Sequence, residues 1–159
     1  MAQPNLKLDL APHERQLGKY RLLAKLGEGG MGTVYLALAS GFGAFRKLLV
    51  VKELRRDLPW RDTSLAMFMD EAQLAARLDH PNVLQTFEAG EADGRHFLAM
   101  EYLDGQPLSI VLDRAHRTRG LPLEIWVHVL CEVLSGLSYA HELTDFDGAP
   151  LNVVHRDVS

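Results

Sequence analysis

Several groups of residues in this sequence have types and spacings that could do chemistry. Gly27-Glu28-Gly29-Gly30-Met31-Gly32 has the form G-x-G-x-x-G, in which glycines let backbone amides approach phosphate oxygens with no Cβ in the way. Leu49-Val50-Val51-Lys52 sets a lysine in an apolar, strand-like run, where its charge calls for an anionic partner. Further on, Glu71 shares a helical face with Met67, Leu74 and Leu78, and a carboxylate in an apolar stripe needs a partner as well. Both requirements are met if Lys52 pairs with Glu71, leaving the lysine free to contact phosphates beneath the glycine loop. Each group also has a plainer reading: a glycine-rich turn, two solvated surface charges. His155-Arg156-Asp157 is a further polar cluster, which alone reads equally as an incidental H-x-D or as half of a metal site.

The elements that must position these groups follow from periodicity. YRLLAKLG, TVYLALAS and FRKLLVVKEL are rich in Val, Leu and Tyr and are separated by glycine clusters, so they predict three antiparallel strands joined by hairpins. The glycine pattern then lies at a hairpin tip. A dinucleotide-binding fold would instead need a helix after it, and the run from Val34 to Ala39 is alternating and β-branched. Ser64 is the expected N-cap of the helix LAMFMDEAQLAARLD, which His80-Pro81 should stop. NVLQTFEAGEADGRHFLAMEYL predicts a second hairpin turning at Ala92-Asp93-Gly94. The first hundred residues thus read as a five-stranded sheet with one helix inserted.

After Gly105 the character becomes helical. A short helix near Leu108 to Ala115 precedes the turn-like HRTRG, and a long helix opens at Leu121-Pro122, with proline at its first position. Ile125, Val129, Val133, Leu137 and Ala140 carry its apolar spacing. DFDGAP is a loop, and LNVVHRDVS starts as a strand. The expected division is a tail over 1–18, a sheet-rich part over 19–103 and a helical part over 104–159.

Composition narrows the function. The chain of 159 residues has 47% apolar and 24% charged residues and a net charge of −4, a globular balance with no basic footprint for nucleic acid. Cys131 is its single cysteine, which excludes a disulfide framework or a multi-cysteine zinc site and suits a reducing, cytoplasmic setting. It reads as a small buried group on the long helix. The N-terminal MAQPNLKLDLAPHER mixes charge and proline where a signal peptide needs an apolar stretch, and no membrane contact is expected. His80, His96, His128 and His141 are expected to lack converging partners.

Taken in order, these motifs resemble those of the bacterial eukaryotic-like serine/threonine protein kinases from about Tyr20 onward. LGEGGMGTVYLA resembles their glycine-rich loop, Lys52 the third-strand lysine, Glu71 the glutamate of the αC helix, LDHPNVL the turn after it, AMEYLDG the hinge, and His155-Arg156-Asp157 the catalytic-loop triplet. The resemblance implies an α+β, protein-kinase-like fold: a five-stranded antiparallel N-lobe sheet with one αC helix, then the first helices of a helical C-lobe. It implies ATP with Mg2+ as cofactors and a protein substrate. The implied nucleotide contacts are Leu26, Gly27, Glu28, Gly29, Gly30, Met31, Gly32, Val34, Val50 and Lys52, with Met100 as gatekeeper and the backbones of Glu101 and Leu103 on the adenine. Asp157, Lys52 and Glu71 are the implied catalytic set.

The sequence also departs from the pattern. Val50 stands where the family usually has alanine, and Ser159 where serine/threonine kinases usually carry lysine. The metal-binding asparagine would fall beyond Asp157 at position 162, and the D-F-G segment later still. The reading is therefore of an incomplete kinase domain, inactive alone, with no metal ligand in the chain and with part of the long helix's apolar stripe uncovered. Its competitor is a non-catalytic nucleotide-binding or interaction module, and a dinucleotide-dependent oxidoreductase using Glu53 is a third reading that needs a helix at Val34 to Ala39.

Overall fold

A computed structural model of the chain describes residues 15–41, 43, 45–56, 61–117, 120–155 and 157, of which the side chains of 61 and 62 are not described. The main-chain contacts divide the molecule into two units, one of residues 1–78 and 85–102, the other of 79–84 and 103–159.

In the first unit the three predicted strands are present as β2 (Tyr20–Glu28), β3 (Gly32–Ser40) and β4 (Arg46–Leu54), after a short β1 (Gln16–Leu17). Helix α1 (Arg61–Ala75) and the hairpin of β5 (Thr86–Ala92) and β6 (Arg95–Glu101) follow. The sheet is antiparallel throughout, in the order β1-β2-β3-β4-β6-β5. The hairpin turns at Asp93-Gly94, both with positive φ (54° and 69°), the conformation that a two-residue turn matching the twist of its strands demands. Since Val34 to Ala39 is strand, the oxidoreductase reading is excluded.

The two-residue period of the strands makes two apolar faces. Leu17, Tyr20, Leu22, Tyr35, Ala37, Leu49, Val51, Phe97 and Ala99 pack as one core. On the opposite face Leu54, Leu98 and Met100 pack with Phe68 and Ala72 of α1. The added strand β1 comes from the segment expected to be tail: Leu17 is wholly buried in the first core. A two-residue strand leaves no periodic signal, which is why only its neighbours were predictable.

Helix α1 differs from expectation at both ends. Ser64 lies inside it rather than at its N-cap, residues 57–60 being outside the described set. It stops at Ala75, ahead of His80-Pro81, as the ladder tightens to three-residue bonds from Arg77 N–H to Leu74 and from Leu78 N–H to Ala75.

The second unit holds α2 (Leu108–His116) and α3 (Leu123–His141). Pro107 and Pro122 are their N-caps, with ψ of 142° and 147°; Pro122 thus sits one residue ahead of its predicted place, its extended ψ outside the helix. Gly136 is the only buried residue of α3, pressed on the segment 79–84, where a Cβ would meet the Asn82 carbonyl at 3.0 Å. By length and composition alone α3 could cross a membrane; Glu132 on it accepts a 2.7 Å bond from Asn82 Nδ2. Leu123, Ile125, Val127, Leu130 and Leu134 are exposed. Cys131 is exposed as well, because the buried line of α3 passes through Gly136 instead. DFDGAP is a turn built on Asp145, whose Oδ1 accepts from Asp147 N and Ala149 N at 2.9 and 2.8 Å. The expected strand in LNVVHRDVS is absent among the described residues, where Thr144 and Pro150 form a lone bridge.

Tyr20 donates a 2.6 Å hydrogen bond to Glu88, which also takes Lys19 at 2.5 Å. Burial first, and then that bond, pushes the Tyr20 hydroxyl up to about 12. An unfolded tyrosine ionises near pH 10, so the folded state holds a proton that the unfolded state loses. Stability from this group is complete below pH 10 and is lost as the pH rises through about 12. Thermal melts across that range should show the decline, and Tyr20→Phe should flatten it while costing about 1–3 kcal/mol at neutral pH.

Candidate functional site

Strand β4 puts Lys52 between Val34 of β3 and Leu98 of β6, and Lys52 Nζ meets both Glu71 oxygens, at 2.5 and 2.8 Å. The expected pair is present, but its setting differs. Among the described side chains of α1, Phe68 and Ala72, not Met67, are buried, and Met67 is 54% exposed. The bulkier Phe68 takes the interior and rotates Glu71 to the edge of the buried stripe. The two side chains are 23% and 44% exposed, so the pair stands in water. A pair so exposed contributes at most about 1 kcal/mol to folding; its consequence is to hold an ammonium at one place, open to an anion.

Beside it β2 and β3 close a hairpin, as predicted. Gly29 N–H donates to the Gly32 carbonyl at 2.9 Å, and Arg55 N–H to the Met31 carbonyl at 3.1 Å, which fastens the tip to the end of β4. Gly32 is needed by the protein itself, since a Cβ there would meet the Glu53 carbonyl at 2.8 Å and Lys52 Cγ at 3.4 Å. Gly27, Gly29 and Gly30 are not: a Cβ on any of them meets nothing within 4 Å, and none has positive φ. That clear space at the backbone is what phosphate oxygens approaching the amides require, and so the residues fit the expected nucleotide phosphates. Glu28 points elsewhere, its carboxylate paired with Lys25 and Arg55, so that only its backbone is available to a ligand.

Behind the loop the register aligns the residues expected around the base. Leu36, Val50 and Met100 form one cross-strand row, and Val34, Lys52 and Leu98 the next. Leu26 is the extra residue of a bulge between Lys25 and Gly27. Val50 packs at the edge of the second core, so the added methyl groups relative to alanine are accommodated by the sheet's own packing. The Glu101 amide donates to the Gln85 carbonyl at 3.0 Å and its carboxylate accepts from Gln85 N at 2.8 Å, so a backbone contact from Glu101 to an adenine would use its carbonyl. Leu103 belongs to the second unit, where its carbonyl takes the Gly105 amide at 2.9 Å.

Asp157 is exposed in the second unit, its amide donating to His155 Nδ1 at 3.3 Å. Arg156 and Ser159, each singled out from the sequence, lie outside the described residues. Two features escaped sequence reasoning. Arg95 grips Glu53 through Nε at 2.7 Å and Nη2 at 2.6 Å and the Gln16 carbonyl through Nη1 at 3.1 Å; a charged residue at the end of a hairpin gives no sign of such burial. His80, expected to lack partners, accepts from Asn82 N at Nδ1 (3.1 Å), meets Ser135 Oγ at Nε2 (3.2 Å) and stacks on Tyr139. Ser135 lies 55 residues away in sequence, and Tyr139 is on the same helix, beyond the reach of local pattern.

The glycines separate by purpose under mutation. Gly32→Ala should lower stability by about 1–3 kcal/mol through the backbone clash with Glu53, whereas Gly29→Ala and Gly30→Ala should stay within about 0.5 kcal/mol of the parent. Denaturant titration of the three variants measures this.

Over residues 20–159 the sequence matches the protein kinase domain. It is 42% identical over 157 residues to the tyrosine-protein kinase MasK of Myxococcus xanthus, covering 98% of this chain and 24% of that protein. It is 38% identical over 151 residues to the serine/threonine-protein kinase PknJ of Mycobacterium tuberculosis, covering 92% and 23%. The crystal structure of the Mycobacterium tuberculosis PknI kinase domain superposes with a TM-score of 0.61 at 31% identity over 80% of this chain and 50% of that one. The chain thus spans about a quarter of the length of the curated relatives it matches. Since the match begins at the first residue of β2 and takes in every motif described above, the chain belongs to the protein kinase domain family.

Proposed function

We propose that this chain carries the nucleotide-gripping residues of a protein kinase that transfers the γ-phosphoryl group of ATP to serine or threonine hydroxyls. The observation that carries this reading is the half-exposed Lys52–Glu71 pair beside glycines that the protein's own packing does not require. The loop amides other than that of Gly29, which donates to the Gly32 carbonyl, hold phosphate oxygens, Lys52 adds a cation to them, and Glu71 keeps that cation in place. Leu26, Val34 and Val50 offer the base an apolar surface, Met100 stands as gatekeeper, and the Glu101 and Leu103 backbones address its edge. In the transfer the acceptor oxygen bonds to the γ-phosphorus, the bond to the bridging oxygen of ADP breaks, and the hydroxyl proton passes to Asp157.

Magnesium in this family neutralises the phosphates. Among the described residues no cluster of three or more His, Cys, Asp or Glu could hold a metal, so no step here runs through one. Serine or threonine as acceptor accords with PknJ and with the serine/threonine-protein kinase pkn3 of Myxococcus xanthus, 41% identical over 143 residues, and MasK's name makes tyrosine the alternative to be tested. A nucleotide-binding module without catalysis uses the same residues and is the competing reading.

The 159-residue polypeptide should bind ATP, and Lys52→Met should weaken that binding at least about tenfold, which is 1.4 kcal/mol; calorimetry measures both. With labelled ATP, magnesium and a protein acceptor it should transfer label at background. Absence of ATP binding would refute the nucleotide site. Transfer that depends on Lys52 would show that these residues suffice for catalysis, and phosphoamino-acid analysis would then name the acceptor.

A further inference from the structure

The first unit carries a second, basic hollow on the sheet. Arg21 stands opposite Gln16 of β1 and Leu38 of β3, and Arg46 of β4 stands opposite Ser40 of β3. Leu38 and Ser40 are two residues apart on one strand, so all these side chains leave the sheet on one face. It is the face opposite Leu17 and Tyr20, which lie in the first core. With Lys19 they line a cavity of about 170 Å³.

Of the three cations in this hollow, two are not balanced by a carboxylate among the described residues. Lys19 is neutralised by Glu88 at 2.5 Å. Arg21 and Arg46 are exposed, and among the described residues neither guanidinium is paired with a carboxylate. The two guanidiniums, with the Ser40 hydroxyl on the strand between them and the Gln16 amide on the edge strand beyond Arg21, present two positive charges and donors arranged across four strands. A single carboxylate would leave one arginine unmatched. A phosphomonoester dianion matches both charges and offers three oxygens to forked donors.

We propose that this hollow binds a phosphorylated serine or threonine side chain of a protein. The source rests on the proposed kinase activity, which makes that group, and the hollow is then a product-side docking point outside the glycine loop. Arg21 and Arg46 touch neither Lys52 nor the loop: they lie at the other end of β2 and β4 from Glu28 and Lys52.

The test measures binding of a phosphoserine peptide, its unphosphorylated twin, inorganic phosphate and a single-stranded oligonucleotide to the 159-residue chain, beside Arg21→Ala with Arg46→Ala, Arg21→Lys with Arg46→Lys, and Lys52→Met. The phosphopeptide should bind at least about tenfold more tightly than its twin and than inorganic phosphate. The double alanine variant should lose that margin, the double lysine variant should retain part of it, and Lys52→Met should leave it unchanged. Melting curves of the alanine variant should match the parent, since both arginines are exposed. A margin that survives the alanine pair, or that vanishes with Lys52→Met, would overturn the proposal by placing the phosphate elsewhere. Inorganic phosphate or the oligonucleotide binding as tightly as the phosphopeptide would overturn the protein-borne source. ATP binding is read separately, so loss of the nucleotide site and loss of this hollow are distinguishable.

Discussion

The two-residue period of β4 is the constraint on which the first unit depends. Leu49 and Val51 enter one core, while Val50 and Leu54 pack on the other side against the residues that meet α1. Lys52 and Glu53 continue the same alternation, so the residue that builds the site and the residue that locks the sheet are neighbours on opposite faces. A one-residue slip would bury the lysine and expose the core. The close approach of Gly32 to the Glu53 carbonyl pins β3 to β4 at that point, and the glycine hairpin inherits its position from it.

Two ion pairs flank β4 and obey different physics. Arg95 and Glu53 are nearly enclosed, with side chains 10% and 12% exposed, and a forked, fully bonded geometry offsets their desolvation. Loss of either partner would leave a buried charge, a cost of about 3–5 kcal/mol. By also holding the Gln16 carbonyl, Arg95 ties β1 to the sheet end and keeps Leu17 in the core. Lys52 and Glu71 are wet, and water takes most of the value of their attraction. That leaves the ammonium restrained yet available, which suits a group whose task is to meet incoming phosphate rather than to stabilise the fold.

Much of this was legible because its signals are local. Strand periodicity located β2, β3 and β4, Asp93-Gly94 located the second turn, and the lysine and glutamate pointed to each other through shared need. The rest depends on contacts that local patterns do not encode. The phase of α1 is set by Phe68, which packs in the second core with Leu54, Leu98 and Met100 and leaves Met67 outside. The Arg95 clamp, the His80 cluster and β1 each join residues far apart in the chain. On α3, residue type suggested a small buried Cys131, whereas Gly136 marks the line that the segment 79–84 covers.

The central claim, that Glu71 acts on phosphate only by holding Lys52, is tested most directly by a double-mutant cycle on ATP affinity with Lys52→Met and Glu71→Gln. Glu71→Gln in the parent should weaken binding by about threefold to tenfold, about 0.7–1.4 kcal/mol, and should have no further effect once Lys52 is methionine. Equal losses in both backgrounds would show that Glu71 acts independently of the lysine and would contradict the account.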